Sequence, residues 1–268
     1  MQKKSGFNVK RHVAAAVILP FFVAYLYLLP PFPYFLAFLI VVGTTAMWEF
    51  FVMYKVPVKM YIPGVIAGAL MLYMSCIYPE YFLYSFVISM FIMILLRLFS
   101  AAAPSGSMRE LGPLGTGFLY IAGLMSFQWF LRKTDLGLGY VFLLYISVWF
   151  SDSGAYYIGT YMGKNKLCPT ISPNKTVEGA FGSILGGALG AVISKFIFGI
   201  PLSIAGIAVV GVILGITAMT GDLIESMFKR DAGIKDSSTI IPGHGGILDK
   251  IDGMLVSGPV LYLIVRYL

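Results

Sequence analysis

Runs of about twenty apolar residues, repeated along almost the whole chain, restrict the fold more than any other feature. Stretches such as 34–54, 81–99 and 202–221 carry almost no charge. In hydrocarbon every unpaired backbone group costs several kcal/mol, so such segments must be helices or strands of a closed barrel. Barrel strands alternate polar and apolar residues over about ten positions, and these runs do not alternate. Composition agrees: 59% of residues are hydrophobic, 12% are charged and the mean hydropathy is +0.87. The fold class expected is an all-α polytopic membrane protein with about nine transmembrane helices and a cytoplasmic N-terminus. The spans expected are Val13–Leu29, Tyr34–Tyr54, Tyr61–Tyr78, Tyr81–Phe99, Leu111–Leu131, Leu138–Ile158, Gly179–Gly199, Leu202–Gly221 and Met254–Leu268. These consume most of 268 residues and leave no room for a separate soluble domain. The first run follows Lys3, Lys4, Lys10 and Arg11 as a signal peptide would, but Pro30-Pro31-Phe32-Pro33 comes next without a small-residue cleavage site. It reads as a retained helix.

This arrangement can be tested against the positive charges, because translocating Lys and Arg is disfavoured. Nine crossings put Lys55, Lys59, Arg97, Arg109, Lys164, Lys166, Lys175, Lys229, Arg230, Lys235, Lys250 and the four N-terminal cations on the cytoplasmic side, leaving Arg132, Lys133, Lys195 and Arg266 opposite. The net charge of +7 therefore reads as topology and attraction to anionic lipid, with no basic-aromatic pattern calling for nucleic acid. Cys76 and Cys168 form neither a metal-ligand spacing nor a disulfide framework, and two histidines, His12 and His244, are too few for a histidine-built zinc centre.

The chain divides functionally near residue 107. Residues 1–107 hold four spans and few buried charges, apart from Glu49, which is either a functional intramembrane acid or, the reading favoured, a residue reaching the interface or pairing with Lys55 or Lys59. Residues 108–268 hold the remaining spans and are the region expected to carry any catalytic chemistry, with a site facing the cytoplasm, because eight of the 12 acids lie beyond Asp135. Glycines recur every fourth residue at Gly182, Gly186 and Gly190 and again at Gly211 and Gly215, stripes that let helix backbones approach closely.

Ten charged residues crowd between Gly221 and Gly253. On a helix, Asp222, Glu225, Ser226 and Lys229 share one face, and Asp249 and Asp252 do the same on the final helix. Two helices presenting paired acids could hold a hard divalent cation such as Mg²⁺, which keeps waters and accepts substrate phosphates. Surface salt bridges with the nearby cations are the alternative. Pro242-Gly243-His244-Gly245-Gly246 adds a loop whose backbone N–H groups can approach an anion. A second cluster, Lys164, Lys166 and Ser172-Pro173-Asn174-Lys175-Thr176, suits a polyphosphate, or else is a positive-inside loop turning at Pro173 into a helix capped near Thr176. Asp152 lies just before it, facing the same cavity or pairing with a loop lysine.

Three stretches resemble the phosphatidate cytidylyltransferases, or CDP-diacylglycerol synthases. They are Ser226-Met227-Phe228-Lys229-Arg230 with Lys235-Asp236, Pro242 to Asp252, and Ser172 to Gly179. The resemblance covers about the last 120 residues. It implies that CTP and phosphatidic acid give CDP-diacylglycerol and pyrophosphate, with Mg²⁺ required, a second site for a monovalent cation such as K⁺, and a homodimer. It also implies that Asp222 and Asp249 hold the metal, supported by Asp252. Lys175, Lys229 and Arg230 then face the leaving pyrophosphate, Ser172 and Thr176 bond phosphates, and His244, Gly245 and Lys250 contribute to substrate binding. Lys250 stands where the family usually has arginine, which keeps the charge and loses the bidentate fork. Asn174 is given no role. The setting implied is a prokaryotic inner membrane, with the site facing the cytoplasm. A CTP-dependent transferase acting on a polyprenol or an archaeal ether lipid would use similar chemistry. A cation-coupled transporter would bury its acids midway through its spans, whereas these cluster at span ends.

Overall fold

The computed structural model describes residues 23–100, 103–240 and 245–267, and they are overwhelmingly helical. Residues 23–28 are helical, and a π-helical turn, Pro31–Phe35, leads into α1 (Leu36–Met53). Then come α2 (Val58–Ile77) and α3 (Phe82–Leu98). The next span, Ser107–Arg132, consists of α4 (Ser107–Gly117), a π-helical segment (Phe118–Gly123) and α5 (Leu124–Arg132). After α6 (Gly137–Met162) a short hairpin of β1 (Lys166–Cys168) and β2 (Ser172–Thr176) precedes α7 (Val177–Phe198), α8 (Ile204–Asp231) and α9 (Leu248–Tyr267).

Among the described residues, six helices are long and apolar enough to cross a membrane: Pro31–Met53, Val58–Ile77, Pro79–Leu98, Ser107–Arg132, Val177–Phe198 and Ile204–Asp231. Helices α6 and α9, at 26 and 20 residues, also have spanning length but dilute their apolar residues with glycine, serine, tyrosine and aspartate. The result is a helical, multi-pass membrane architecture that carries one short β-hairpin among the described residues. The expected first span, Val13–Leu29, lies largely outside the described residues, as do His12 and His244. Outward faces are greasy: α3 exposes Leu83, Val87, Ile88 and Phe91, a surface suited to lipid.

Two kinds of packing build the bundle. Around α1, α2 and the Ser107–Arg132 span the core is made of large side chains, with Phe50, Phe51, Met47, Leu72, Phe118 and Ile121 almost fully buried. Around α6, α7 and α8 backbones meet instead. A Cβ on Gly154 would collide with the Gly182 carbonyl, one on Gly187 would lie 2.5 Å from the Gly211 oxygen, and one on Gly190 would lie 2.8 Å from Ser147 Cα. Ser183 Oγ donates to the Gly215 carbonyl across this seam at 3.0 Å. The glycine stripes are therefore close helix contacts.

The loop expected to turn at Pro173 is instead a hairpin that turns earlier. Cys168 pairs with Ser172, and Ile171 N–H bonds the Cys168 carbonyl at 3.2 Å. Pro169, with its fixed φ, takes the second position of that turn, while Pro173 is carried within β2 of a two-stranded ribbon. The first-turn carboxylate of α7, Glu178, closes the hairpin by accepting N–H bonds from Lys164 (3.0 Å) and Asn165 (3.2 Å).

Candidate active site

Helix α8 continues without glycine or proline from Asp222 to Asp231 and carries Lys229 and Arg230 in its last turn, where cations favour the helix dipole. One face of this extension presents Asp222, Glu225, Ser226 and Lys229. Gly221 brings α9 against it: a Cβ there would strike the Asp252 carbonyl and lie 2.9 Å from Gly253 Cα. That approach delivers Asp252. Asp222, Glu225 and Asp252 each offer a carboxylate oxygen within 4.8 Å of the others. Glu225 is fully buried, and its Oε1 has no hydrogen-bond partner among the described residues. An all-oxygen donor set with an orphaned buried oxygen fits a hard divalent cation.

Cations surround the three acids. Lys175 reaches across from β2 to Asp222 at 2.7 Å. The buried Lys229 bridges Glu225 at 2.5 Å and Asp249 at 2.6 Å. Asp249 is thus adjacent to the cluster but separated from it by an ammonium. Its second oxygen accepts Ser237 Oγ–H (2.7 Å), Gly246 N–H (2.7 Å) and Ser237 N–H (3.1 Å). Gly245, at φ +84°, has no room for a side chain: a Cβ would sit 2.6 Å from the same Asp249 oxygen.

Glu49 is the main contribution of the first half to this end of the bundle. It is fully buried at the foot of α9, where it accepts Ile247 N–H (2.9 Å), Leu248 N–H (2.8 Å), Ser238 Oγ–H (2.6 Å) and Ser237 Oγ–H (3.2 Å). A carboxylate from α1 therefore caps a helix about 200 residues away in sequence. Neither Lys55 nor Lys59 is its partner. Tyr120, on the π-helical segment, has a buried hydroxyl without a hydrogen-bond partner among the described residues, lies in the field of Asp252, Glu225 and Asp222, and packs its ring edge to face with Phe228 at 5.4 Å.

A cavity of about 570 Å³ opens beside the acids, lined by Asp152, Tyr156, Lys166, Lys175, Thr176 and Asp222 among others. Asp152 is therefore a cavity residue. Thr176 faces the cavity while its Oγ1 caps α7 through Gly179 N–H at 3.1 Å. Ser172 is paired with Cys168 at the far end of the hairpin and is not part of the lining. Arg230 binds the backbone, donating to the Ile171 carbonyl at 3.1 Å and the Ile234 carbonyl at 2.9 Å, and so fastens the hairpin tip to the end of α8. Lys250 is exposed, and His244 lies outside the described residues.

Sequence spacing found the α8 face and the α9 acid pair. It gave no signal for Glu49 as a cap, because that contact spans the whole chain, and none for Tyr120.

A bundle of membrane helices carrying a carboxylate cluster, with lysines and an adjoining cavity, has the make-up of a membrane-embedded enzyme. The chain belongs to the cytidylyltransferase family, which it matches over residues 9–268. It is 32% identical over 268 aligned residues to the phosphatidate cytidylyltransferase of Bacillus subtilis strain 168, covering 96% of this chain and 98% of that one. The protein of the same name from Staphylococcus epidermidis strain RP62A is 36% identical over 181 residues, 68% of this chain and 66% of its own length. That of Staphylococcus aureus strain COL is 38% identical over 141 residues, 53% of this chain and 54% of its own.

Proposed function

We propose that this chain is a phosphatidate cytidylyltransferase, condensing CTP with phosphatidate to give CDP-diacylglycerol and pyrophosphate. The observation that carries the reading is the Asp222–Glu225–Asp252 cluster beside the Lys175-lined cavity, in a chain that aligns from end to end with a relative of that name. A phosphate oxygen of phosphatidate forms the new bond to the α-phosphorus of CTP. The bond from that phosphorus to the β-phosphate bridge oxygen breaks, and pyrophosphate leaves with its electron pair. The nucleophile is already anionic near neutral pH, so no general base is required, and the obstacle is repulsion between two anions.

The residues present address that obstacle by positioning and charge. Asp222, Glu225 and Asp252 would hold Mg²⁺, which supplies charge neutralisation between the triphosphate and the lipid phosphate. Lys175, on Asp222 at 2.7 Å, can exchange that carboxylate for a phosphate oxygen. Lys229 keeps Glu225 and Asp249 together, and Asp249 in turn fixes the Gly245-Gly246 backbone through the Gly246 N–H. In this reading Asp249 organises the loop and can join a second, monovalent cation such as K⁺. In this reading Thr176, Gly245, His244 and Lys250 contact substrate phosphates, which the position of Thr176 in the cavity lining supports. We further read the site as facing the cytoplasm of a prokaryotic cell membrane, which the asymmetry of Lys and Arg supports, and the protein as a homodimer with about nine spans.

The test is purified protein with CTP, Mg²⁺ and phosphatidic acid, followed by mass spectrometry of the extracted lipid. CDP-diacylglycerol formed only when all three are present is the expected result. Preference for a polyprenol or an ether lipid in acceptor competition would move the assignment to another lipid, and cation flux in liposomes without nucleotide would replace it with transport.

A further inference from the structure

A second cavity, of about 790 Å³, opens at the same end of the bundle between the C-terminal end of α1, the start of α4 and the last turns of α8. It includes none of the three clustered acids. On α8 its lining residues Met227, Phe228 and Asp231 point away from the face that carries Asp222. Its walls combine the apolar side chains of Met108, Met227 and Phe228 with two cations, Lys55 and Arg109, and one acid, Asp231.

Both cations stand where their own backbone disfavours them. Lys55 ends α1 at φ +56°. Its N–H bonds the Val52 carbonyl at 2.9 Å, and Val56 N–H bonds the Phe51 carbonyl at 3.0 Å. This is the left-handed helix terminus that glycine normally fills. Arg109 sits in the first turn of α4, where the helix dipole repels positive charge. Neither side chain has an ion pair or hydrogen bond among the described residues. Glu110, next to Arg109, is taken by Arg97 at 2.8 Å, and Asp231 lies beside the Tyr54 hydroxyl. Both side chains are exposed, and together they leave two cations unpaired among the described residues on one amphipathic cavity.

We propose that this cavity binds the headgroup of an anionic glycerophospholipid from the surrounding leaflet, at a site separate from the carboxylate cluster. Lys55 and Arg109 take the phosphodiester, Asp231 and Tyr54 meet headgroup hydroxyls, and the methionines and Phe228 receive the first acyl carbons. The volume lies in the range of ligand pockets, about 300–1,000 Å³. Phe228 links the two sites physically, since its ring lines this cavity and meets the Tyr120 ring edge to face at 5.4 Å. The proposal goes beyond the transferase reading and does not depend on it.

The test is native mass spectrometry of the full chain in neutral detergent micelles, titrated with phosphatidylglycerol. Phosphatidylcholine and inorganic phosphate serve as comparison and competitor. The Lys55→Gly/Arg109→Gln double variant should hold phosphatidylglycerol at least about tenfold more weakly. Its melting temperature should be unchanged or higher, because glycine suits the left-handed position. Lys59→Gln, which alters an exposed cation in the first turn of α2 outside the cavity, should bind as the parent does. Equal retention by the double variant would overturn the proposal, as would equal binding of phosphatidylcholine or displacement by millimolar inorganic phosphate. A lowered melting temperature accompanying the loss would assign the two cations to the fold instead.

Discussion

The two halves of the bundle are assembled by opposite means. In the region of α1 to α5, bulky side chains such as Met47, Phe51, Leu72 and Phe118 fill the space between helices. In α6 to α9, glycines bring backbones into direct contact, as at Gly154 with Gly182, Gly187 with Gly211, and Gly221 with Asp252. A side-chain core tolerates small shifts by changing rotamers, whereas a backbone contact has nothing to rearrange. The half that carries the reactive groups is the half whose helix spacing is set rigidly. The other half reaches it through Glu49, whose carboxylate fixes the start of α9.

The comparison can be broken at several points. Asp222→Asn removes a clustered carboxylate while leaving helix packing alone, so CTP incorporation into lipid should fall by about 10³-fold with unchanged melting temperature. Activity near the parent's would remove Asp222 from the reacting centre. Gly221→Ala changes no charge but pushes a methyl group into the Asp252 carbonyl, and displacing Asp252 should lower turnover by about 10²-fold. The matched change in the other half, Gly115→Ala, meets among the described residues only the Met90 side chain at 3.4 Å and should be nearly silent. Comparable losses in the two variants would erase the distinction between the halves.

Glu49→Gln sharpens the link between halves. The amide cannot accept from all the donors now converging on the carboxylate, which should cost about 2 kcal/mol of stability and loosen α9. A drop in melting temperature with a rise in protease cleavage near residues 238–247 would report it, and an unaltered protein would deny the cap any importance. Asp249→Asn separates two roles for that residue. If it organises the loop, CTP affinity and loop protection fall together, and added Mg²⁺ does not restore turnover. If it binds the metal directly, activity returns at higher Mg²⁺. The smallest effect is expected for Lys250→Arg, within about threefold of parental activity, since the side chain is exposed. A large change would show that a bidentate fork matters there.

Much of the site was readable because it is built from local spacing. Asp222, Glu225 and Lys229 are neighbours on one helix face whatever the rest of the protein does, and so are Asp249 and Asp252. What spacing could not supply was the rotation of α9 against α8. That rotation brings Asp252 to Asp222 and Glu225 and turns Asp249 toward Lys229, Ser237 and the Gly246 N–H. The hairpin was missed for a similar reason. Both Pro169 and Pro173 are plausible turn residues, and only the clamp of Glu178 on Lys164 and Asn165 decides which one turns the chain.

The sequence by itself determined a membrane-spanning helical chain, its glycine-lined seams and two acid-bearing helix faces, because hydrophobic run length and helical periodicity are properties of neighbouring residues. The tertiary structure decided which acids meet, which lysines stand between them, that Glu49 from α1 caps α9, and that Lys55 and Arg109 share a second cavity. Those contacts join residues as many as 199 positions apart, and only the packing of whole helices against one another sets such distances.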